Sequence, residues 1–283
     1  MFPTPIERCS PLTRGLYKAG LPLALIVWLL PILAVAMTSI RGAGDMAAGN
    51  YWGLPTEWQL LENYTAVFRD TPIARYILNS LMVAIPTVIG AIALSCLAGF
   101  ALGVYRFKAN LLLFFVFVGG NFVPFQILMV PVRDLSLRLG LYDSVGALVL
   151  FHIAFQTGFC TFFMRNFIRD LPHELIEAAR IEGASEWQIF WKVVLPLVRP
   201  ALAALSVLVF TFIWNDYFWS TVLIQGDHAM PVTGGLNSLN GIWVAQWHLV
   251  SAGSIVAALP PVLIFFLMQK QFIAGLTLGA TKG

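Results

Sequence analysis

The sequence predicts an all-α integral membrane protein with six transmembrane helices, both termini cytoplasmic, and one long charged loop between helices 4 and 5. Three observations lead there. First, 59% of the 283 residues are apolar and only 11% are charged, against roughly 25% charged in soluble domains. With a mean hydropathy of +0.80, lipid must solvate much of the chain. Second, six runs are long enough to cross a bilayer and almost free of charge. Third, Lys and Arg are distributed unequally between alternate connecting segments. A soluble enzyme, a disordered tail and a nucleic-acid binder are excluded, because a net charge of +3 is too small and too scattered for a phosphate-binding footprint.

Residues 1–18 form a short basic segment carrying Arg8, Arg14 and Lys18. The first run, 19–40, holds an Ala34-Val35-Ala36 sequence like a signal-peptidase site. The run is long and the charged segment before it is 18 residues, so it is read as a retained anchor. The outer loop to residue 75 is rich in aromatics (Tyr51, Trp52, Trp58, Tyr64), typical of interfacial belts. The runs 76–105, 109–132, 144–164, 200–226 and 249–269 follow, the fifth interrupted only by Asp216. Pro31, Pro86, Pro124, Pro260 and Pro261 lie inside runs, where lipid-embedded helices tolerate them as kinks. With the N-terminus inside, twelve of the seventeen basic residues fall on inner segments and five on outer ones. The third outer loop, 225–250, has no Lys or Arg. Cys9, Cys96 and Cys160 make no disulfide framework; the latter two are packing residues in apolar runs.

The inner loop 165–199 holds five basic and five acidic residues and reads as two short helices. Pro172 suits a helix start, and Glu174 and Glu177 sit near its positive end. Leu175, Ala178, Ala179 and Glu182 share one face, flattened by the alanines. Gly183 is a left-handed C-cap. Ser185 and Gln188 form a capping box for a second helix, whose stripe of Trp187, Phe190, Val194 and Leu197 runs to Pro196 and Pro200. By spacing alone this is either a helix pair on the headgroups or a docking surface for a cytoplasmic protein.

Glu177-Ala178-Ala179, three residues, Gly183, then Ile189 and Leu195-Pro196 resemble the EAA loop of permease subunits in binding-protein-dependent ABC importers. The C-terminus, with Phe272, Gly275, Thr277, Gly279, Ala280, Lys282 and Gly283 at fixed spacing, is similar to the tail of maltose-type carbohydrate permeases. Asn79-Ser80 and Asn215-Asp216 are similar to further family positions, with Asp in place of the more usual Glu. The resemblance spans essentially the whole chain. It implies that residues 19–283 form an ABC importer transmembrane domain and that Glu177, Ala178, Ala179, Gly183, Leu195 and Pro196 form the coupling-helix element held in a cleft of an ATPase subunit. It also implies that, within the cytoplasmic tail 270–283, the segment Gly275–Gly283, with Gly275, Gly279, Lys282 and Gly283, reaches the ATPase dimer. The implied partners are a second homologous permease, two cytoplasmic ATPase subunits carrying ATP and Mg, a periplasmic or lipid-anchored sugar-binding protein, and membrane lipid. The location would be the cell inner membrane. In this branch the third outer loop can probe the binding protein's pocket.

The chain itself shows no catalytic or metal site. No complete phosphate-cradling G-x4-G-K-[ST] motif occurs: the nearest start, Gly275, meets Ala280 where the second glycine belongs. Neither H-E-x-x-H nor G-x-S-x-G is present. His152 and His173 have no second ligand spaced beside them and read as packed residues. Asp216 costs roughly 2.5–3.5 kcal/mol at mid-membrane and has to face protein or water, with Asn215 placed to share its hydrogen bonds. It either lines a polar path or caps a helix. It lies about 24 Å from Pro200 at 1.5 Å per residue, and this depth favours the cap. Asn121, Gln126, Gln156, Trp214, Asn215, Asp216 and Tyr217 are the substrate-path candidates, since sugars are held by polar groups and stacked rings. An ion-driven secondary transporter would need a buried ionisable relay, and the runs offer only Asp216. A membrane-embedded transferase would need clustered acids or histidines. The only acidic cluster is that of the inner loop, whose alternating charges suit salt bridges. No Lys or Arg lies inside a run, which favours neutral substrates.

Overall fold

The computed structural model describes residues 10–238 and 246–278, the last eight as backbone. The chain divides into two units, Met1–Thr71 with Leu239–Val256, and Pro72–Ser238 with Ala257–Gly283.

The first unit begins with α1 (Pro11–Ser39), 29 residues long. Ser10 accepts the Thr13 backbone N–H at 3.3 Å and Pro11 occupies the first turn, two devices that satisfy or remove orphan donors. Leu and Val side chains along it are exposed, as lipid-facing residues would be. Two short helices follow, α2 (Ala43–Ala47) and α3 (Leu60–Asp70). The buried Arg41 organises the segment between them, donating to the backbone oxygens of Asn50 and Gly53. Asn63 donates to the carbonyls of Ser39 and Arg41 at 2.9 and 2.8 Å.

The second unit runs through α4 (Ile73–Val104), α5 (Asn110–Gly119), α6 (Met129–Arg138), α7 (Val145–Arg169), α8 (His173–Ile181), α9 (Glu186–Ile189), α10 (Leu195–Leu197), α11 (Arg199–Trp214), α12 (Phe218–Leu223) and α13 (Val232–Ser238). The last helix, α14 (Trp247–Leu278), belongs partly to each unit. Among the described residues four helices are long and apolar enough to cross a bilayer. Two helix pairs, Asn110–Phe122 with Phe125–Arg138 and Glu186–Leu197 with Arg199–Trp214, are bent by 89° and 74°, so the second pair draws in part of the inner loop and is not the run 200–226 by itself.

Two runs depart from single straight helices. The run 109–132 breaks after Gly119 into 3-10 turns at Gly120–Phe122 and Phe125–Leu128, and its two arms meet at 89°. Adjacent glycines weaken the ladder, and Pro124 removes an N–H and takes an extended ψ of 117°. The run 200–226 likewise ends its helix at Trp214 and restarts at Phe218.

The core of this unit is the α4–α7 crossing. Small residues let the two backbones approach, the usual route to helix association in lipid. A Cβ at Gly90 would lie 2.6 Å from Ile153, and one at Gly99 would lie 2.9 Å from the Met164 Cβ and 3.0 Å from the Arg165 backbone nitrogen. Ser95 also reaches across to the Thr157 carbonyl at 3.3 Å.

Candidate functional site

The loop between α7 and α11 is built on a few buried anchors. Ile176 is the buried residue of α8, while Leu175, Glu177 and Ala178 on the flanking positions are exposed and Ala179 is half-buried. The flat alanine face is thus presented outward by a single apolar peg beneath it. Gly183 closes α8 at φ +83°, with Glu182, Gly183 and Ala184 donating back to the carbonyls of Ala178, Arg180 and Ala179. Only glycine takes that conformation without strain. Ser185 and Gln188 make both halves of the capping box that opens α9. A π turn at Phe190–Val194 separates α9 from α10. The extra residue per turn buries Phe190 and Val194 and leaves Trp187 and Trp191 half-exposed. Sequence periodicity does not reveal this register shift. Leu195 lines an apolar cavity of about 320 Å³ shared with Trp187, Trp191 and α4, and Pro196 is exposed.

An ion pair holds the two arms together. Arg180 Nε and a terminal nitrogen donate to the two carboxylate oxygens of Glu186 at 2.8 and 3.2 Å, and the Tyr105 hydroxyl donates to Glu186 at 2.5 Å. The Arg180 bond first, then Tyr105, hold the Glu186 carboxyl below the usual range against the opposing effect of burial. Stability from a depressed carboxylate is complete above the unfolded pKa and is lost as pH falls through the folded one. The pair is therefore intact at neutral pH. Acid titration by thermal melting is expected to show its loss only below the ordinary Glu range, and the Glu186→Gln variant should lack that component.

At the other end of the unit, the segment after α12 is strapped to the first turns of α4. The buried Asn79 amide donates to the carbonyls of His228 and Met230, both at 3.0 Å. Ser80 accepts the Val232 N–H at 2.8 Å, and Tyr76 donates to Asp227 at 3.1 Å. Asp143 accepts the N–H groups of Gly226 and Gln225 at 2.9 and 2.8 Å, and those two backbone bonds hold its carboxyl below the usual range. Asn79→Ala removes two part-buried bonds to backbone carbonyls and is expected to cost about 1–3 kcal/mol. The checks are a lower melting temperature and faster proteolysis within 225–235.

The polar path candidates scatter. Asn121 lines a largely apolar cavity of about 430 Å³ formed by α5, α6, α7 and Leu223, tucked against Gly158 and donating to the Phe117 carbonyl at 3.0 Å. Gln126 is exposed on the following 3-10 turn. Gln156 is buried on α7 with its amide nitrogen unpartnered among the described residues. Trp214 is buried and donates to the Ala257 carbonyl at 3.0 Å, a packing role. Asn215 does not share the bonds of Asp216 but turns back to the Thr211 carbonyl at 2.9 Å. The Asp216 carboxylate accepts the N–H groups of Trp219 and Ser220 at 3.3 and 3.2 Å, capping α12, and lies 3.5 Å from the Nε2 of buried His152. Tyr217 is exposed, its hydroxyl accepting from Asn237 at 3.3 Å. The His152–Asp216 pairing joins residues on two different runs, so no local spacing announces it. Gly275 lies in α14, whereas Gly279, Lys282 and Gly283 lie outside the described residues.

A polytopic helical membrane domain with a glycine-hinged two-helix loop before its fifth run defines a permease of the ABC type. Residues 76–277 match the family of binding-protein-dependent transport system inner membrane components, and the chain belongs to that family. It is 35% identical over 253 residues to a probable ABC transporter permease of Pyrococcus horikoshii, covering 89% of this chain and 91% of that one. It is 31% identical to the arabinooligosaccharides transport system permease of Halalkalibacterium halodurans, covering 98% and 99%. Among solved structures, a chain of a bacterial ABC transporter involved in the import of the acidic polysaccharide alginate matches at TM-score 0.79 and 23% identity, over 93% of this chain and 99% of that one. At that identity the likeness is one of fold.

Proposed function

We propose that this chain is one of two homologous permease subunits of an ATP-driven carbohydrate importer in the inner membrane. Both termini face the cytoplasm. Two cytoplasmic ATPase subunits hold ATP and Mg, a binding protein delivers the sugar from outside, and this chain catalyses nothing itself. The single observation that carries the reading is the outward face of α8. Glu177 and Ala178 are exposed and flat above the buried Ile176, and Gly183 turns the chain back immediately after them. Such a surface suits a protein cleft better than headgroups, because small side chains let another backbone approach closely. Nucleotide supplies the bias between inward- and outward-open states, as only a ligand with unequal affinity for two states shifts their balance.

The substrate class is supported by relatives named for arabinooligosaccharides, alpha-glucoside and diacetylchitobiose transport. The absence of Lys and Arg from the sequence-defined runs favours neutral saccharides. The test is uptake of labelled neutral oligosaccharides by vesicles holding the full assembly. Uptake is expected with internal ATP and not with a proton gradient alone. Transport by the purified chain alone, driven by an ion gradient, would overturn the reading in favour of a secondary transporter.

A further inference from the structure

The ion pair beside the coupling loop does more than hold two helix ends together. Glu186 opens α9, Arg180 lies in the last turn of α8, and Tyr105 is the residue that ends α4. Three elements therefore meet at one carboxylate: Arg180 grips both oxygens and the Tyr105 hydroxyl binds one of them. The Arg180 guanidinium also lies 5.8 Å from the centre of the Tyr105 ring, within cation–π range. Tyr105 is itself fixed from behind, since the Asn110 amide donates to its carbonyl at 2.8 Å and to that of Leu102 at 3.0 Å. An independent apolar contact runs beneath. Phe100 of α4 packs edge-on against Tyr105 at 5.6 Å and tilted against Phe190 of the π turn at 5.3 Å, and Trp187 stacks on Phe190 at 5.7 Å.

Isolated surface ion pairs contribute little, but bidentate geometry within a network is the exception. Here the network crosses from the loop to a helix more than seventy residues earlier in the chain. Without it, α8 would be held by its covalent flanks and by the burial of Ile176, while the aromatic underlay would tie only α9 and the π turn to α4. With it, α8, α9 and the end of α4 are braced against one another. The α4–α7 crossing is in turn too close-packed to shear, because Gly99 and Gly103 meet backbone atoms of Met164 and Arg165.

We propose that Tyr105, Arg180 and Glu186 are positioning residues forming a transmission clamp, through which displacement of α8 is delivered to the α4–α7 pair as one rigid body. This rests on the reading of α8 as the ATPase-docking helix. Loosening the clamp leaves the ATPase subunits bound but lets the loop yield, so hydrolysis proceeds with less transport.

The test uses the complete transporter in proteoliposomes, with Glu186→Gln and Tyr105→Phe as the variants and the double exchange Arg180→Glu with Glu186→Arg as the rescue. Sugar moved per ATP hydrolysed is expected to fall about five- to tenfold in Glu186→Gln and less in Tyr105→Phe, with the ATPase subunits still co-purifying. The exchange should recover most of the loss seen with Arg180→Glu alone. An unchanged ratio in both variants, loss of co-purification, or an exchange no better than the single reversal would overturn the clamp. Ala178→Cys cross-linking to an ATPase subunit, in an otherwise unsubstituted chain, tests the underlying reading separately. A cross-link with an unchanged ratio removes the clamp alone, and absence of the cross-link removes the docking assignment beneath it.

Discussion

Glu177→Lys is expected to abolish sugar uptake while the protein still inserts in the membrane. Glu177 is exposed on α8, where with Glu174 it places two negative charges in the first turns. These acids also favour the helix itself, being near its positive end. In the docking proposed above, reversing one of them puts a cation where the cleft meets a carboxylate. Juxtaposed like charges at an interface cost several kcal/mol, and each 1.4 kcal/mol is tenfold in affinity, so a loss of about a hundredfold or more in ATP-driven uptake is the expected scale. Gly183→Pro reaches the same end by another route. Proline holds φ near −65°, whereas Gly183 sits at +83°, so the hinge has to be rebuilt and the face of α8 re-aimed. Gly183 has open space around it, so steric overlap is not the cause. The measurements are uptake by intact cells, membrane content by immunoblot and co-purification of the ATPase subunits. Normal uptake in both variants would remove the coupling role from this loop.

Gly99→Leu is expected to be strongly destabilising, because it acts at the α4–α7 crossing. The atoms that a new Cβ would meet at Gly99 are the Met164 Cβ and the Arg165 backbone nitrogen, neither of which moves by a rotamer change. Overpacking of this kind costs about 1–3 kcal/mol even for small additions, and a leucine would force α4 and α7 apart along their length. Gly99→Ala should give a milder drop, and Gly20→Ala on α1, which meets nothing within 4 Å, should give none. Thermal melting of the purified assembly in detergent ranks the three. Equal melting temperatures for Gly99→Leu and Gly20→Ala would mean that the crossing is not close-packed.

Much of the molecule is legible locally. Apolar runs of bilayer length need no tertiary information, because each spanning helix satisfies its own backbone. The turn of the charged loop 165–199 is equally local. A glycine after an amphipathic helix and a Ser-x-x-Gln before the next are short-range chemistry, and Gly183 and Ser185 take up those roles. Helix breaks are less legible. The Gly119-Gly120 and Pro124 elements that bend the third run are visible in the sequence, but similar residues inside α1 and α14 leave those helices long. Whether a proline kinks or breaks a helix depends on what can re-satisfy the freed carbonyls. The π turn at Phe190–Val194 is invisible for a related reason: it depends on which face Phe190 and Val194 must bury, and the neighbour sets that face.

The amino-acid order by itself determined the membrane class, the six apolar runs and the position and hinge of the charged loop before the fifth run, because these depend on transfer free energies and on backbone preferences within a few residues. Only the tertiary structure decided which polar groups meet. His152 finds Asp216, Asn79 finds the carbonyls of His228 and Met230, and Tyr105 finds Glu186, all across more than sixty residues. Pairing over such distances leaves no periodic trace, since it is set by how whole helices pack and not by the spacing along any one of them.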